Sequence, residues 1–118
     1  MRKVYLLFVA VIVIPTTSQV RAAETIGEML IYCSKPDGNV FRVHCHSYMG
    51  GIIDVQANFG LSANETVKYT CVPSGVTSRQ GAAVFVRWAN KNPEHHHLPA
   101  FVGVVESLHE TFKCPETQ

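Results

Sequence analysis

The stretch "CVPSGVTSRQ", Cys71 to Gln80, places a cysteine, a turn and the start of a helix within ten residues. The residues "PSG" in its middle all favour turns. Thr77 and Gln80 have the spacing of a capping box, in which each side chain bonds a backbone amide at the start of a helix. The stretch therefore predicts a helix that begins after Thr77 and continues through Trp88, which we expect in the core.

Three further segments have helical patterns, and none has a strong strand signal. "TIGEMLIYC" opens with a second capping box, Thr25 and Glu28. "VHCHSYMGGIIDVQANF" carries apolar residues at intervals of three and four, namely Cys45, Tyr48, Ile52, Val55 and Phe59. The final helix, interrupted or restarted at Pro99, has an apolar face composed of Phe101, Val104, Val105, Leu108 and Phe112. These patterns predict an all-α fold, a small bundle of about four helices.

Two adjacent glycines, Gly50 and Gly51, lie inside the second helix. Each lowers helix stability by about 1 kcal/mol relative to alanine. We therefore expect a neighbouring helix to approach this helix closely at the two glycines.

The N-terminus has the organisation of a secretory signal peptide. Arg2 and Lys3 precede an apolar run from Val4 to Ile14, and small residues permit cleavage after Ala22. The run is too short to cross a bilayer, which takes about 20 residues. We therefore predict a signal peptide at residues 1–22 and a single exported domain of 96 residues at 23–118, soluble after cleavage.

The exported domain carries seven basic and nine acidic residues, a formal charge of −2 once Arg2, Lys3 and Arg21 are removed. Its lysines and arginines are scattered along the chain. A nucleic-acid-binding protein normally presents a clustered basic surface, so the sequence argues against nucleic acid as a partner.

Four cysteines in a small exported domain predict two disulfides, and counting alone leaves three pairings open. The helix ends favour one of them. Cys33 closes the first helix and Cys45 opens the second, whereas Cys71 precedes the third helix and Cys114 follows the fourth. Antiparallel neighbours would bring these ends together, so we predict the pairs Cys33–Cys45 and Cys71–Cys114.

Catalytic and metal-binding patterns are weak in this sequence. His44 and His46 flank Cys45, but alternate residues of a helix point about 200° apart and cannot both attend one thiol. The run His95 to His97 has no accompanying HExxH or paired CxxC motif, and we expect solvated histidines with some rings packed on neighbours. We therefore predict no enzyme activity, no cofactor and no metal site.

The motifs "GEMLIYC", "CHSYMGGIIDV", "CVPSGVTSRQ", "NPEHHHLPA" and "FKC" occur in this order across nearly the whole exported part of the chain. In this ordered set the chain resembles the immunity proteins that protect bacteria from type VI secretion amidases, the Rap/Tai group. It departs from them in the closing motif, where Lys113 stands at the position before Cys114 that is more often proline in the family.

The resemblance implies a disulfide-bonded, all-helical protein of the periplasm, often a homodimer. Family members bind a peptidoglycan amidase effector and block its active-site cleft, while the amidase supplies the cysteine and histidine of the chemistry. The competing hypotheses are an exported scaffold or chaperone-like binding protein with no toxin partner, and metal handling by the histidines.

An inhibitor that fills a cleft needs a protruding segment that is already rigid, because ordering a loop on binding costs affinity. "NKNPEHHH", stiffened by Pro93, is the first candidate, with Asn92 also placed to cap the following helix. The predicted contact residues are Lys91, Asn92, Glu94, His95 and His96, with Asn64 and Glu65 of the preceding connection as a second choice.

Overall fold

The computed structural model describes residues 23–59 and 70–116. Its helices are α1 (Ile26–Cys33), α2 (Val40–Phe59), α3 (Ser78–Lys91) and α4 (Ala100–Thr111), with a 3₁₀ turn at Pro93–His95. Within these ranges there is no strand beyond an isolated bridge between Thr25 and Pro99. The predicted all-α fold of four helices is confirmed.

Some predictions fall outside the described ranges. These are the signal peptide at residues 1–22 and the contact residues Asn64 and Glu65. Among the helices that are described, none is both long enough and apolar enough to span a membrane.

Both predicted capping boxes are formed. At the start of α1, the Thr25 amide donates to Glu28 Oε2 at 2.9 Å and the Glu28 amide donates to Thr25 Oγ1 at 3.2 Å. At the start of α3, the Thr77 amide donates to Gln80 Oε1 at 2.8 Å and the Gln80 amide donates to Thr77 Oγ1 at 3.2 Å. Such a cap stabilises a helix by about 1 kcal/mol, and at the start of α1 it is joined by bonds from the Ile26 and Gly27 amides to the Leu98 and His96 carbonyl oxygens.

Both predicted disulfides are present, Cys33–Cys45 and Cys71–Cys114. The first closes a loop with a sequence separation of 12 residues and joins the end of α1 to the second turn of α2, which begins at Val40 and so earlier than the predicted opening at Cys45. The second has a separation of 43 residues and joins the segment before α3 to the segment after α4. In the chain-entropy model these loops contribute about 3 and about 4 kcal/mol.

The core lies between the four helices, and α3 contacts each of the other three. Phe85 of α3, Ile26 of α1, Met49 of α2 and Leu108 of α4 are all almost completely buried. Trp88 is also in the core, as predicted, with 7% of its surface exposed. The helices therefore share one hydrophobic core that is closed at the Cys71–Cys114 end by a disulfide.

The apolar faces of two helices differ in part from the prediction. Val55 is exposed, and the buried positions of α2 are Cys45, Met49, Ile52, Ile53 and Gln56. Phe101 is also exposed, because Ala100, Gly103 and Val104 form the inner face at the start of α4. In both helices, apolar residues spaced three and four apart can be assigned to either of two adjacent faces. Packing against the neighbouring helices decides which of these faces is buried.

The expectation for Gly50 and Gly51 is wrong. A Cβ atom added to Gly50 would lie 3.7 Å from Ser78 Cβ, an ordinary contact, and one added to Gly51 would meet nothing within 4 Å. The close approaches are at Gly81 and Gly103 instead. A Cβ on Gly81 would lie 2.5 Å from Ile53 Cδ1. The glycines with close neighbours therefore lie on α3 and α4, and not on α2.

Candidate functional site

The predicted contact segment "NKNPEHHH", residues 90–97, covers the end of α3 and most of the connection to α4, residues 92–99, and the structure shows how it is held. Asn92 Nδ2 donates to the Trp88 carbonyl oxygen at 2.8 Å, and the Asn92 amide donates to that of Ala89 at 3.2 Å. Asn92 therefore caps the end of α3. Asn92 also occupies the N-cap position of the 3₁₀ turn at Pro93–His95, as predicted, but its side chain makes no capping bond there.

Two of the three consecutive histidines pack against the bundle. The His95 ring stacks on Trp88, with ring centroids 5.8 Å apart and planes inclined by 25°. His96 Nε2 lies 2.8 Å from the Ala89 carbonyl oxygen, and the His96 carbonyl oxygen accepts from the Gly27 amide at 3.0 Å. These contacts tie the connection to α3 and to α1, as expected for rings packed on neighbours.

The inward contacts of Asn92, His95 and His96 leave other side chains on the outside of the connection. Lys91, Glu94 and His97 are exposed. Among the described residues, no group of three or more histidine, cysteine, aspartate or glutamate side chains is arranged to hold a metal ion. The connection therefore offers a rigid surface with exposed charges at Lys91 and Glu94.

A groove of about 450 Å³ lies beside this connection, between α3 and α4. Trp88 contributes to its wall, and the indole Nε1–H donates to Glu110 Oε1 at 3.0 Å. Arg87 and Lys91, four residues apart on α3, line the same groove. The sequence did not indicate that Arg87, Lys91 and Glu110 would line one groove, because that depends on which faces of α3 and α4 meet.

A second surface lies where α2 begins, and sequence reasoning missed it. Val40, Phe41 and Val43 are 71%, 47% and 56% exposed. Phe41 stacks on Tyr32 of α1 with centroids 5.0 Å apart. The available signal was that Val40 and Val43 fall off the apolar stripe of α2, whereas Phe41, four residues before Cys45, lies in line with it.

Charged and aromatic groups border this second surface. His44 Nε2 lies 3.0 Å from Glu24 Oε1, and the His44 ring meets the edge of Tyr32 at 5.7 Å. With Val40, Phe41 and Tyr32 these two residues line an open groove of about 320 Å³. The pKa of the nearby Tyr48 is raised, first by burial and then by the negative charge of Glu24.

The arrangement supports recognition and not bond-making by a thiol. All four cysteines are in disulfides, so the oxidised protein has no thiolate to act as a nucleophile. His44 is engaged with Glu24 and Tyr32. The described residues thus form two candidate contact surfaces, one at the connection between α3 and α4 and one at the start of α2. The helices that carry them are joined by the two disulfides.

A comparison with protein families finds that the model of the Rap1a immunity proteins matches residues 25–114. The match begins at the capping threonine of α1 and ends at the last cysteine. No curated protein and no solved structure matches significantly.

Proposed function

This chain belongs to the Rap1a immunity protein family, and we propose that it is a periplasmic immunity protein against a type VI secretion effector. The effector is a peptidoglycan amidase, and the immunity protein binds it and occludes its active site. The observation that carries the proposal is the family match, which spans all four helices and both disulfides.

The rigidity of the connection between α3 and α4 supports occlusion as the mechanism. A segment that is ordered before binding loses little conformational entropy when it enters a cleft. The capping contact of Asn92, the His95–Trp88 stack and the bond from Gly27 to His96 provide that order. Lys91 and Glu94 are exposed on this segment and are the proposed contacts with the amidase.

The two disulfides support export as part of the same proposal. Disulfides form and persist in oxidising compartments such as the bacterial periplasm. Cleavage after Ala22 would leave the chain starting at Ala23, two residues before the Thr25 cap. The predicted signal peptide and the disulfides are thus both consistent with the periplasm, which is also where an effector would attack peptidoglycan.

The proposal gives the immunity protein a non-catalytic role. The amidase supplies the nucleophile, and this chain supplies a surface that excludes substrate and water from the cleft. Inhibition would then depend on affinity alone, so substitutions should act through the dissociation constant of the complex.

We expect the gene next to the one for this protein to encode a cysteine–histidine amidase, and the test uses that amidase. Co-expression of that amidase in the periplasm should lyse the cells, and the full-length chain should prevent lysis. Purified proteins should form a complex that inhibits peptidoglycan cleavage. Continued lysis despite abundant folded protein, together with no complex in solution, would overturn the proposed function.

Charge reversals locate the contact segment. We expect Lys91→Glu and Glu94→Lys each to weaken the complex about tenfold, which corresponds to roughly 1.4 kcal/mol. Lys113→Glu and Asp54→Lys are matched controls, because both residues are exposed and lie on other parts of the chain. If all four variants bind the amidase as tightly as wild type does, the contact lies elsewhere on the chain, and the immunity function still stands.

A further inference from the structure

Two positively charged side chains of α3 lie in the groove between α3 and α4 without a partner of opposite charge. Arg87 and Lys91 are both exposed and both line this groove. Among the described residues, neither side chain forms a hydrogen bond or an ion pair. The other arginines of the described ranges, Arg42 and Arg79, are both paired with Asp37. The charge of Arg87 therefore has no evident function within the described part of the monomer.

The spacing of the two cations is unfavourable for the free protein. Arg87 and Lys91 are four residues apart, so they lie on the same face of α3, where like charges repel each other and weaken the helix. Lys91 lies in the last turn of α3, where the helix dipole stabilises a positive charge. Arg87 lies outside that turn, so the dipole does not account for it. An anion bound between the two side chains would remove their repulsion.

The carboxylate that lines the groove does not neutralise these cations. Glu110 Oε1 accepts the indole N–H of Trp88 at 3.0 Å, and Glu110 forms no ion pair with Arg87 or Lys91. The residues that line the groove thus carry two positive charges and one negative charge. The groove is therefore complementary in charge to a single carboxylate.

The wall of the groove favours a tight ion pair. Its apolar part consists of Trp88, which is buried, and Val84, which is half-buried. Beside an apolar wall, water and salt screen an ion pair less than on an open surface. The guanidinium group of an arginine can also bind a carboxylate through two parallel hydrogen bonds. The groove volume of about 450 Å³ lies within the range of ligand sites, about 300–1,000 Å³, so the groove can hold an acidic side chain.

We propose that this groove binds an aspartate or glutamate side chain of the amidase, an inference that rests on the proposed function. Arg87 binds the carboxylate directly, and Lys91 adds a second positive charge beside it. The groove adjoins the predicted contact segment, because Lys91 belongs to both and the His95 ring of that segment stacks on Trp88. The segment and the groove therefore form one continuous surface, on which Arg87 selects for an acidic residue of the partner.

The test measures the dissociation constant of the complex with the purified amidase at two salt concentrations. Arg87→Gln should raise it by about tenfold and should make it less sensitive to salt. Arg87→Lys keeps the charge but loses the two parallel hydrogen bonds, so its loss should be smaller. Arg79→Gln is the matched control and should bind as wild type does. Arg79 is an exposed arginine of the same helix, about 12 Å further toward its N-terminus, and it lies 3.6 Å from Asp37.

Glu110→Gln separates an electrostatic role of the groove from a structural one. The glutamine keeps an acceptor for the Trp88 indole but removes the negative charge from the groove. The complex should therefore become about threefold tighter, a gain that a purely structural role of Glu110 would not produce. Circular dichroism and urea unfolding of each variant show that the fold is intact.

A double-mutant cycle identifies the partner residue. Each aspartate and glutamate on the amidase surface is replaced by its amide, and each variant is measured with wild type and with Arg87→Gln. For one carboxylate, the two changes together should weaken the complex little more than either change alone. Additive losses at every carboxylate would contradict the proposed contact.

The remaining outcomes distinguish this inference from the proposed function. If wild type binds the amidase and Arg87→Gln binds equally tightly at both salt concentrations, the groove inference is wrong and the immunity function stands. If wild type forms no complex with the amidase, both are wrong. Arg87-dependent binding to phosphatidylglycerol vesicles, with an unchanged amidase complex, would identify a lipid headgroup as the occupant and would also overturn the inference.

Discussion

Replacing Gly103 by alanine tests the packing of α4 directly. A Cβ atom at this position would lie 2.7 Å from Ile26 Cγ1, 2.8 Å from Ile26 Cδ1 and 3.2 Å from Phe85 Cε2. Ile26 and Phe85 are both completely buried, so neither has free space into which to move. Gly51→Ala is the matched control, because Gly51 is also helical but a Cβ there would meet nothing within 4 Å.

Two opposing effects set the expected magnitude. Alanine is more stable than glycine in a helix interior by about 1 kcal/mol, so G51A should raise the free energy of unfolding by about that amount. Overpacking a core costs about 1–3 kcal/mol. G103A combines the same helical gain with this cost, and its free energy of unfolding should lie between that of wild type and about 2 kcal/mol below it.

Urea unfolding with the disulfides intact measures both variants, and measurements at two protein concentrations show whether association contributes. Ile26→Val, which removes a methyl group, should lower the free energy of unfolding less in G103A than in wild type, because Ile26 Cδ1 would no longer oppose the new Cβ. If G103A gains as much stability as G51A, and Ile26→Val costs the same in both backgrounds, α4 does not pack on Ile26 as described.

Three further predictions concern single contacts. Replacing Cys71 and Cys114 together by serine should lower the free energy of unfolding by about 4 kcal/mol, and an unchanged urea midpoint would contradict this. Glu110→Ala should cost about 1 kcal/mol because the Trp88 indole N–H loses its acceptor. Glu110→Gln keeps an acceptor and should cost less, so equal losses for the two variants would contradict the hydrogen bond. The raised pKa of Tyr48 means that the folded protein favours the neutral phenol. The contribution of Tyr48 to the free energy of unfolding is complete below pH 10 and is lost as pH rises through the pKa of Tyr48 in the folded protein. Tyr48→Phe should therefore lessen the alkaline fall in stability, and an identical fall in both proteins would refute the assignment.

The position of the connection between α3 and α4 was predictable, but its contacts with the rest of the bundle were not. The connection between α3 and α4 was identified from its composition and from Pro93. The contacts of its histidines were not, because the His95 ring stacks on Trp88 while staying 44% exposed, and His96 bonds Ala89 and Gly27 of other elements. The position of a histidine near Pro93 in the sequence does not indicate which helix its ring will pack against.

The exposed apolar residues at the start of α2, Val40, Phe41 and Val43, show the same limit. Hydrophobic periodicity placed the core side of α2 near Cys45 and Ile52, and both are buried. It did not indicate that Arg42 would bond the carbonyl oxygens of Cys33 and Lys35 and so leave Val40 outside. That outcome depends on where α1 ends relative to α2, which is a tertiary relationship.

The sequence by itself determined the helix starts at Thr25 and Thr77, the all-helical class and the disulfide partners of Cys33 and Cys71. These follow from interactions within a few residues, or from helix ends that short connections and antiparallel packing bring together. Only the tertiary structure decided which glycines have no room for a side chain, which histidines are structural and which turn of α2 exposes its apolar residues. Each of those depends on the surface that a neighbouring helix presents, and spacing along one helix does not specify it.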